Sequence, residues 1–442
     1  MPDKRHCDLL ITNARYLAPD MTAVSGKAIA VQDGRVLDIV DQDGCAYWGE
    51  TTLDGAGLFW MPGLVDGHLH TSQQLLRGRL LDEKPVIWKR VNVPFESRLD
   101  EASSRLSAEL AAMEMISCGT TGFVDAGGKY PEIYGEVYRA AGLRGRLSVM
   151  TNDNPLCPES LRAPSVPLAV ERLRSMKRAL SGLVKPIYSV TTPTAVSEEL
   201  LRAVFQAAAE DGVPVETHMN EYASEVTDFI ERYGERPFLW LEQQGLLAAP
   251  MTAPHCIFLS QEEMAVMAKR QVRVVHCPFS NCGKGVPPTP QLLAAGVPVG
   301  LGTDGSAHGG LDLFREMRLF RGVMNVTRGV ATADSTVMPA ETLLSMATQG
   351  GAAALMEPDL GLIQKGAPAD LIALNVDAPH LWPTQNLVHT LVESASGADV
   401  RHSIVNGKLL MRDKELLTID VQRVRREAER LFEKQPWLLS WK

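Results

Sequence analysis

No run of 18 or more apolar residues occurs in the 442-residue chain, so no transmembrane helix is expected. The opening stretch, MPDKRHCDLLITNARYLAPD, lacks the apolar core of a signal peptide. No Lys/Arg cluster stands out and the net charge is −9. That balance argues against a nucleic-acid partner and against an anionic membrane surface. No Cys-x-x-Cys pair is present; the seven cysteines (Cys7, Cys45, Cys118, Cys157, Cys256, Cys277, Cys282) are odd in number and scattered. Reduced thiols, and hence a cytoplasmic location, fit that pattern. Low-complexity tracts are missing as well. What remains is an ordinary soluble composition, 45% hydrophobic and 22% charged, in a chain long enough for one large barrel with an appendage.

The two ends of the chain share a grammar. CDLLITNARYLA and AIAVQDGRVLDIVD read as strands, the second pair turning at Asp33-Gly34. Late in the chain ADLIALNVD reads as a strand and VRHSIVNGKLLMRD as a hairpin around Asn406-Gly407. These pieces are expected to pair into one small β domain, with the middle of the chain inserted between them. That middle alternates amphipathic helices with continuous apolar runs, the mark of parallel strands buried on both faces. One helix carries Leu106, Leu110 and Met113 on one face; another has a capping box, Ser260 with Glu263. Eight strands are expected, near 64–68, 120–125, 146–151, 187–191, 213–218, 251–255, 272–276 and 297–303. The fold class is therefore α/β, a (β/α)8 TIM-type barrel with a small β-sandwich domain built from the N- and C-terminal segments. Residues 1–61 and 363–418 form the sandwich, 62–362 the barrel, and 419–442 an amphipathic C-terminal helix on the outside.

In such a barrel chemistry gathers at the C-terminal strand ends, and the unusual polar residues fall there. The first strand ends in His68-Leu69-His70, the fifth in His218 with Glu221 three residues on, the sixth in His255, and the eighth in Asp304. Period two puts His68 and His70 on one face of their strand. Any one of these motifs alone is weak, and His276, in VVHCPFSN, fits a role supporting its loop. Four of them in order, each closing a parallel strand, make a metal site. Three imidazoles and a carboxylate suit one divalent ion, zinc first, with Fe2+, Mn2+ or cobalt accommodated. Such an ion lowers the pKa of bound water toward neutrality. Attack on an amine-bearing carbon then requires proton movement, for which Glu221 is placed; Asp304 can accept a proton, and His255 can polarise the water.

These residues resemble the amidohydrolase superfamily, in particular its cytosine-deaminase-like branch of guanine, oxoguanine, pterin and adenosine-type deaminases and s-triazine hydrolases. The resemblance spans the chain: MPGLVDGHLHTSQQLLRG, MEMISCGTTGFVDAGG, VETHMNE, APHC, VVHCPFSN, GLGTDGSAHGGLDLFREMR and GLIQKGAPADLIALN. It implies His68, His70, His218 and Asp304 as ligands of a mononuclear site, Glu221 as proton shuttle and His255 as assistant to the hydrolytic water. The fourth strand end, PIYSVTTPT, offers no lysine for a second metal, unlike the binuclear hydantoinase-type branch.

The substrate pocket is expected to draw on Gln73, Trp88, Arg90 and His308. Gln73 resembles an amide that guanine- and oxoguanine-type deaminases use to read the ring edge, since an amide donates and accepts at once. Two departures speak against an adenosine-like substrate. Thr191 stands where nucleoside-type relatives carry a purine-contacting histidine, and Trp88-Lys89-Arg90 is basic where they carry an acid for ribose hydroxyls. Arg77 fits a bracing role. The expected activity is deamination of a small amino-substituted N-heteroaromatic ring (purine, pterin, pyrimidine or triazine type) with release of ammonia. The alternatives are a hydrolase with another leaving group, such as chloride or a urea or amide nitrogen, and an inactive small-molecule-binding barrel. A small-molecule substrate is the expected partner; the sequence carries no interface signal, and a homodimer is what the resemblance implies.

Overall fold

The computed structural model describes residues 4–80 and 82–440. Among these residues no helix is long and apolar enough to cross a membrane. Five strands open the chain: β1 (Arg5–Leu17), β2 (Ala23–Gln32), β3 (Arg35–Asp41), β4 (Tyr47–Asp54) and β5 (Leu58–Pro62). The strands β6 (Leu64–Leu69), β7 (Thr120–Gly128), β8 (Arg144–Val149) and β9 (Val184–Pro186) then form one parallel sheet. A second parallel sheet holds β10 (Tyr188–Ser189), β11 (Val215–Glu216), β12 (Met251–Pro254), β13 (Arg273–His276) and β14 (Val299–Leu301). The chain closes with β15 (Leu371–Asn375), β16 (Val400–Val405), β17 (Lys408–Arg412) and β18 (Glu415–Leu416).

The two parallel sheets are halves of one barrel. β9 and β10 are a single fourth strand that changes partner at Ile187: its amide donates to Leu147 O (3.0 Å), whereas the next amide, of Tyr188, donates to Pro214 O (2.9 Å). All nine residues of β7 and all six of β6 are buried, as strands covered on both faces must be. At the other seam, between β6 and β14, a carboxylate takes the place of a regular ladder. Asp66 accepts hydrogen bonds from the Thr303 amide (3.1 Å), the Thr303 hydroxyl (2.7 Å) and the His68 amide (3.2 Å). The Asp304 amide donates to His68 O at 3.0 Å. Gly302 lets the strands approach this closely, because a Cβ there would lie 2.8 Å from His68 O.

The first and last strands pair as their patterns require. β5 runs antiparallel to β15, Pro62 opposite Leu371 and Leu58 opposite Asn375, and joins the terminal segments into one nine-stranded sheet. Its core includes Ile11, Ile29, Val31, Trp60, Leu371 and Ile404. Both Asp33-Gly34 and Asn406-Gly407 turn with positive φ at each central residue, about 50° and 74° in both hairpins, the conformation of a type I′ turn. The turns abut: a Cβ on Gly34 would sit 2.7 Å from the Asn406 side chain.

The helix Glu101–Ser117 packs on two sides, with Leu106, Leu110 and Met113 sharing one face as their spacing predicts. Its Ala108, Ala111, Ala112, Met115 and Ile116 face the barrel. Leu106, Leu110 and Met113 instead meet Val424, Leu431 and Leu438 of the C-terminal helical segments, Val421–Lys434 and Trp437–Ser440. The small residues take the inner face because a helix lying flat on a sheet leaves little room; the large ones form a second contact surface.

A buried ion pair fastens the barrel to the terminal sheet. Arg144, the first residue of β8, donates from Nε to Asp370 Oδ2 (2.8 Å) and from a terminal nitrogen to Oδ1 (3.0 Å). Asp370 also accepts the Asn406 amide at 2.8 Å. Removing one partner of such a pair strands a buried charge. Asp370→Ala is expected to lower stability by about 3–5 kcal/mol, read from the shift in urea midpoint; a loss under about 1 kcal/mol would contradict this role.

Candidate active site

The barrel's C-terminal strand ends surround a pocket lined by His70, His218, Glu221, His255, Asp304 and His308, a concave site with convergent polar groups. His68, His218, His255 and Asp304 each direct one ligand atom toward a common point, all within 4.8 Å of one another. His70 joins them: its Nε2 lies 3.1 Å from His218 Nε2 and 3.3 Å from Asp304 Oδ1. His68 Nε2 lies 3.2 Å from the same Asp304 oxygen.

Three of the four rings are oriented from behind. His68 Nδ1 is 2.7 Å from Glu216 Oε1, at ion-pair distance though off the line of a straight hydrogen bond. His218 Nδ1 is 2.6 Å from Thr191 O, and His255 Nδ1 is 3.0 Å from Asn281 Oδ1. An acceptor behind Nδ1 fixes the proton there and turns Nε2 toward the centre, as metal-binding histidines require. Among the described residues, none hydrogen-bonds the buried His255 Nε2. Converging nitrogens with a buried carboxylate and an orphaned imidazole form a donor set suited to a divalent cation.

The charge states follow from burial and neighbours. Burial lowers His218 to about 4, with His68 adding to the effect, and lowers His255 to about 3. Both are therefore neutral, the ligating form. Burial also disfavours charge on His68, but Asp304 and Glu216 on either side overcome it and raise the ring to about 10. At Glu221, burial raises the carboxyl, but the charged ammonium of Lys284 beside it outweighs burial and holds the group well below the usual carboxylate range. Glu221 Oε1 is 3.8 Å from His255 Nε2 and accepts from Lys284 Nζ at 2.5 Å.

The expected substrate residues divide. Gln73, Trp88 and His308 line the cavity, His308 with its Nε2 3.5 Å from Asp304 Oδ2. Gln73 has both ends of its amide engaged: Nε2 donates to Glu96 Oε1 (2.9 Å), and Oε1 accepts from Asn92 (3.1 Å). Arg90 is not brought to the cavity. It is exposed, donates to Lys84 O at 2.7 Å and pairs with Glu83 at 3.6 Å. The reason is helical geometry: Trp88, Asn92 and Glu96 recur every four residues and face the cavity together, so Arg90 falls on the opposite side. Arg77 contacts Glu114, and His276 Nδ1 lies 2.9 Å from His255 O, supporting that loop.

Glu96, Asn92 and Lys284 were not singled out in the sequence. The four-residue spacing from Trp88 is a signal that points to the first two; Lys284 sits in a Gly/Pro loop with no periodicity.

The chain belongs to the amidohydrolase family, whose profile matches residues 59–410. It is 36% identical over 430 residues to a 5-methylthioadenosine/S-adenosylhomocysteine deaminase of Halobacterium salinarum, covering 95% of this chain and 96% of that one. It is 33% identical over 432 residues to a 5′-deoxyadenosine deaminase of Methanosarcina mazei, covering 96% and 98%. Among solved structures, an adenosine deaminase from Xanthomonas campestris with bound zinc superposes with a TM-score of 0.88 at 27% identity, over 97% of this chain and 100% of that one.

Metal uptake is expected to release a proton. His68 in the metal-free protein stays protonated up to about pH 10, and a ligating imidazole must be neutral. Affinity for zinc should therefore rise with pH across the neutral range. Calorimetric titration in buffers of different ionisation enthalpy reads this directly; zero protons released at pH 7.5 would contradict it.

Proposed function

We propose that this protein is a mononuclear metal-dependent deaminase that converts the 6-amino group of an adenosine-type nucleoside to a carbonyl and releases ammonia. His68, His70, His218 and Asp304 are the proposed ligands, Glu221 the proton carrier, and His255 the group that polarises the attacking water. The carrying observation is the convergence of these side chains at one end of the barrel around one pocket. The names of the relatives over nearly the whole chain support the ring.

The cavity itself favours a purine nucleoside over a bare ring. Ile87, Trp88, Val93 and Met150 supply an apolar wall, and Asn92, Glu96, Thr191 and Thr192 a polar one. Glu96 restores the acidic group that the basic Trp88-Lys89-Arg90 run seemed to lack. It is buried, and its Oε1 is held by Ser72 (2.8 Å) and Gln73. A carboxylate so held is an acceptor for sugar hydroxyls.

A divalent cation held by His68, His70, His218 and Asp304 would lower the pKa of water toward neutrality and so provide a nucleophile. The protein's part is proton movement. Glu221 takes a proton from the attacking water and delivers it to the ring nitrogen beside the reacting carbon; Asp304 accepts the second proton, which leaves with the amine. One water is consumed: the C–O bond forms as the ring nitrogen is protonated, and the C–N bond then breaks as the amine leaves with the second proton. His255 stays neutral and fixed by Asn281, so its Nε2 can hold the water in line.

Incubation of the zinc-loaded protein with adenosine, 5′-deoxyadenosine, 5′-methylthioadenosine, guanine and a pterin, with ammonia as readout, tests the reading. Release from the adenosine-type nucleosides is expected. Release only from guanine or pterin, or none at all, would overturn it. Glu221→Gln should lower kcat by about 10²–10⁴-fold with metal content unchanged; an unaltered kcat would remove Glu221 from the mechanism.

A further inference from the structure

The segment after the seventh barrel strand touches three of the reacting groups through three side chains. From Pro278–Asn281 and the following turn, Ser280 Oγ donates to Asp304 Oδ2 at 2.5 Å, Asn281 Oδ1 stands behind His255, and Lys284 Nζ donates to Glu221 Oε1 at 2.5 Å. Lys284 also donates to Ser280 Oγ at 2.7 Å, so a continuous chain of hydrogen bonds joins Glu221 to Asp304. Among the described residues lining the cavity, Lys284 is the one lysine or arginine.

From this geometry we infer that Lys284 is a positioning residue for Glu221: it ties Oε1 and leaves the proton transfers to Oε2. No protein hydrogen bond reaches Glu221 Oε2 among the described residues, which leaves that oxygen available to water and ring. Lys284 is itself held in place. Its side chain is 7% exposed, its ammonium lies 5.5 Å from the Tyr222 ring centre, and its amide donates to Asn281 O at 2.9 Å. A buried ammonium stays where its partners are, because leaving them costs more than solvent can return. A carboxylate with one oxygen so fixed cannot rotate to exchange its two oxygens. The attacking water and the ring nitrogen therefore meet the same oxygen in turn, without a search between steps.

The inference rests on the reading of Glu221 as proton carrier, and a double-mutant cycle on zinc-loaded full-length protein separates the two. Lys284→Met should lower kcat by about 10–100-fold, leaving KM, zinc content and thermal midpoint near those of the parent. Lys284→Arg, which keeps the charge and a donor, should recover part of the loss. In a Glu221→Gln background Lys284→Met should cost nothing further, since a group acting through Glu221 is silent once Glu221 is disabled. If Glu221→Gln is slow but Lys284→Met is not, or if the two losses multiply, the inference about Lys284 is wrong while the reading of Glu221 stands. If Glu221→Gln itself retains full kcat, the underlying reading fails. Should Lys284→Met not fold, Lys284→Gln and Lys284→Arg carry the same comparison.

Discussion

A carboxylate inserted between the first and eighth barrel strands is the interaction on which the rest of the site depends. Asp66 replaces a stretch of ladder: it binds the Thr303 amide and hydroxyl and the His68 amide. By doing so it sets the spacing of the two strands that deliver His68 and Asp304. Burial raises Asp66 to about 7, with Thr303 resisting the rise, so the group is held at the limit of what hydrogen bonding can keep ionised. The seam also needs close backbone approach. Gly302 allows it, since a Cβ there would fall 2.8 Å from His68 O and 2.9 Å from His68 N.

Around that seam the site is built in nested supports. The imidazoles are aimed by Glu216, the Thr191 carbonyl and Asn281; the turn Thr71–Leu76 after His70 is held by Asp125, which accepts the Thr71 amide at 2.8 Å. The loop bearing Glu221 is clamped in its turn. Asn220, at φ 51°, donates to Glu263 and to Phe258 O, and Glu263 also takes Arg236 and the Phe238 amide. Every one of these supports is buried or half-buried, so the low-dielectric surroundings that strengthen the hydrogen bonds would also penalise a missing partner.

Much of this was legible in the chain. Strand ends are marked by apolar runs that stop at histidine or aspartate, and the barrel's eightfold repetition makes their common placement a consequence of fold class. The hairpins at Asp33-Gly34 and Asn406-Gly407 follow from local backbone preference alone. What escaped reading depends on distance in sequence. Lys284 meets Glu221 across 63 residues, and Asp66 meets Thr303 across 237; no local period announces either. The placement of Arg90 failed for a different reason. Nearness to Trp88 in sequence suggested a shared site, but two positions along a helix are about half a turn and put Arg90 on the opposite face, while Glu96, eight positions on, shares the face of Trp88.

The central claim is that three strands converge on one cation held by His68, His70, His218 and Asp304. Zinc-edge anomalous diffraction from crystals of the zinc-loaded protein tests it most directly. One peak per chain is expected, at bonding distance of about 2.0–2.2 Å from the three imidazole Nε2 atoms and the Asp304 carboxylate. A peak bonded to His255 in place of His70, or one bonded outside this cluster, would contradict the account.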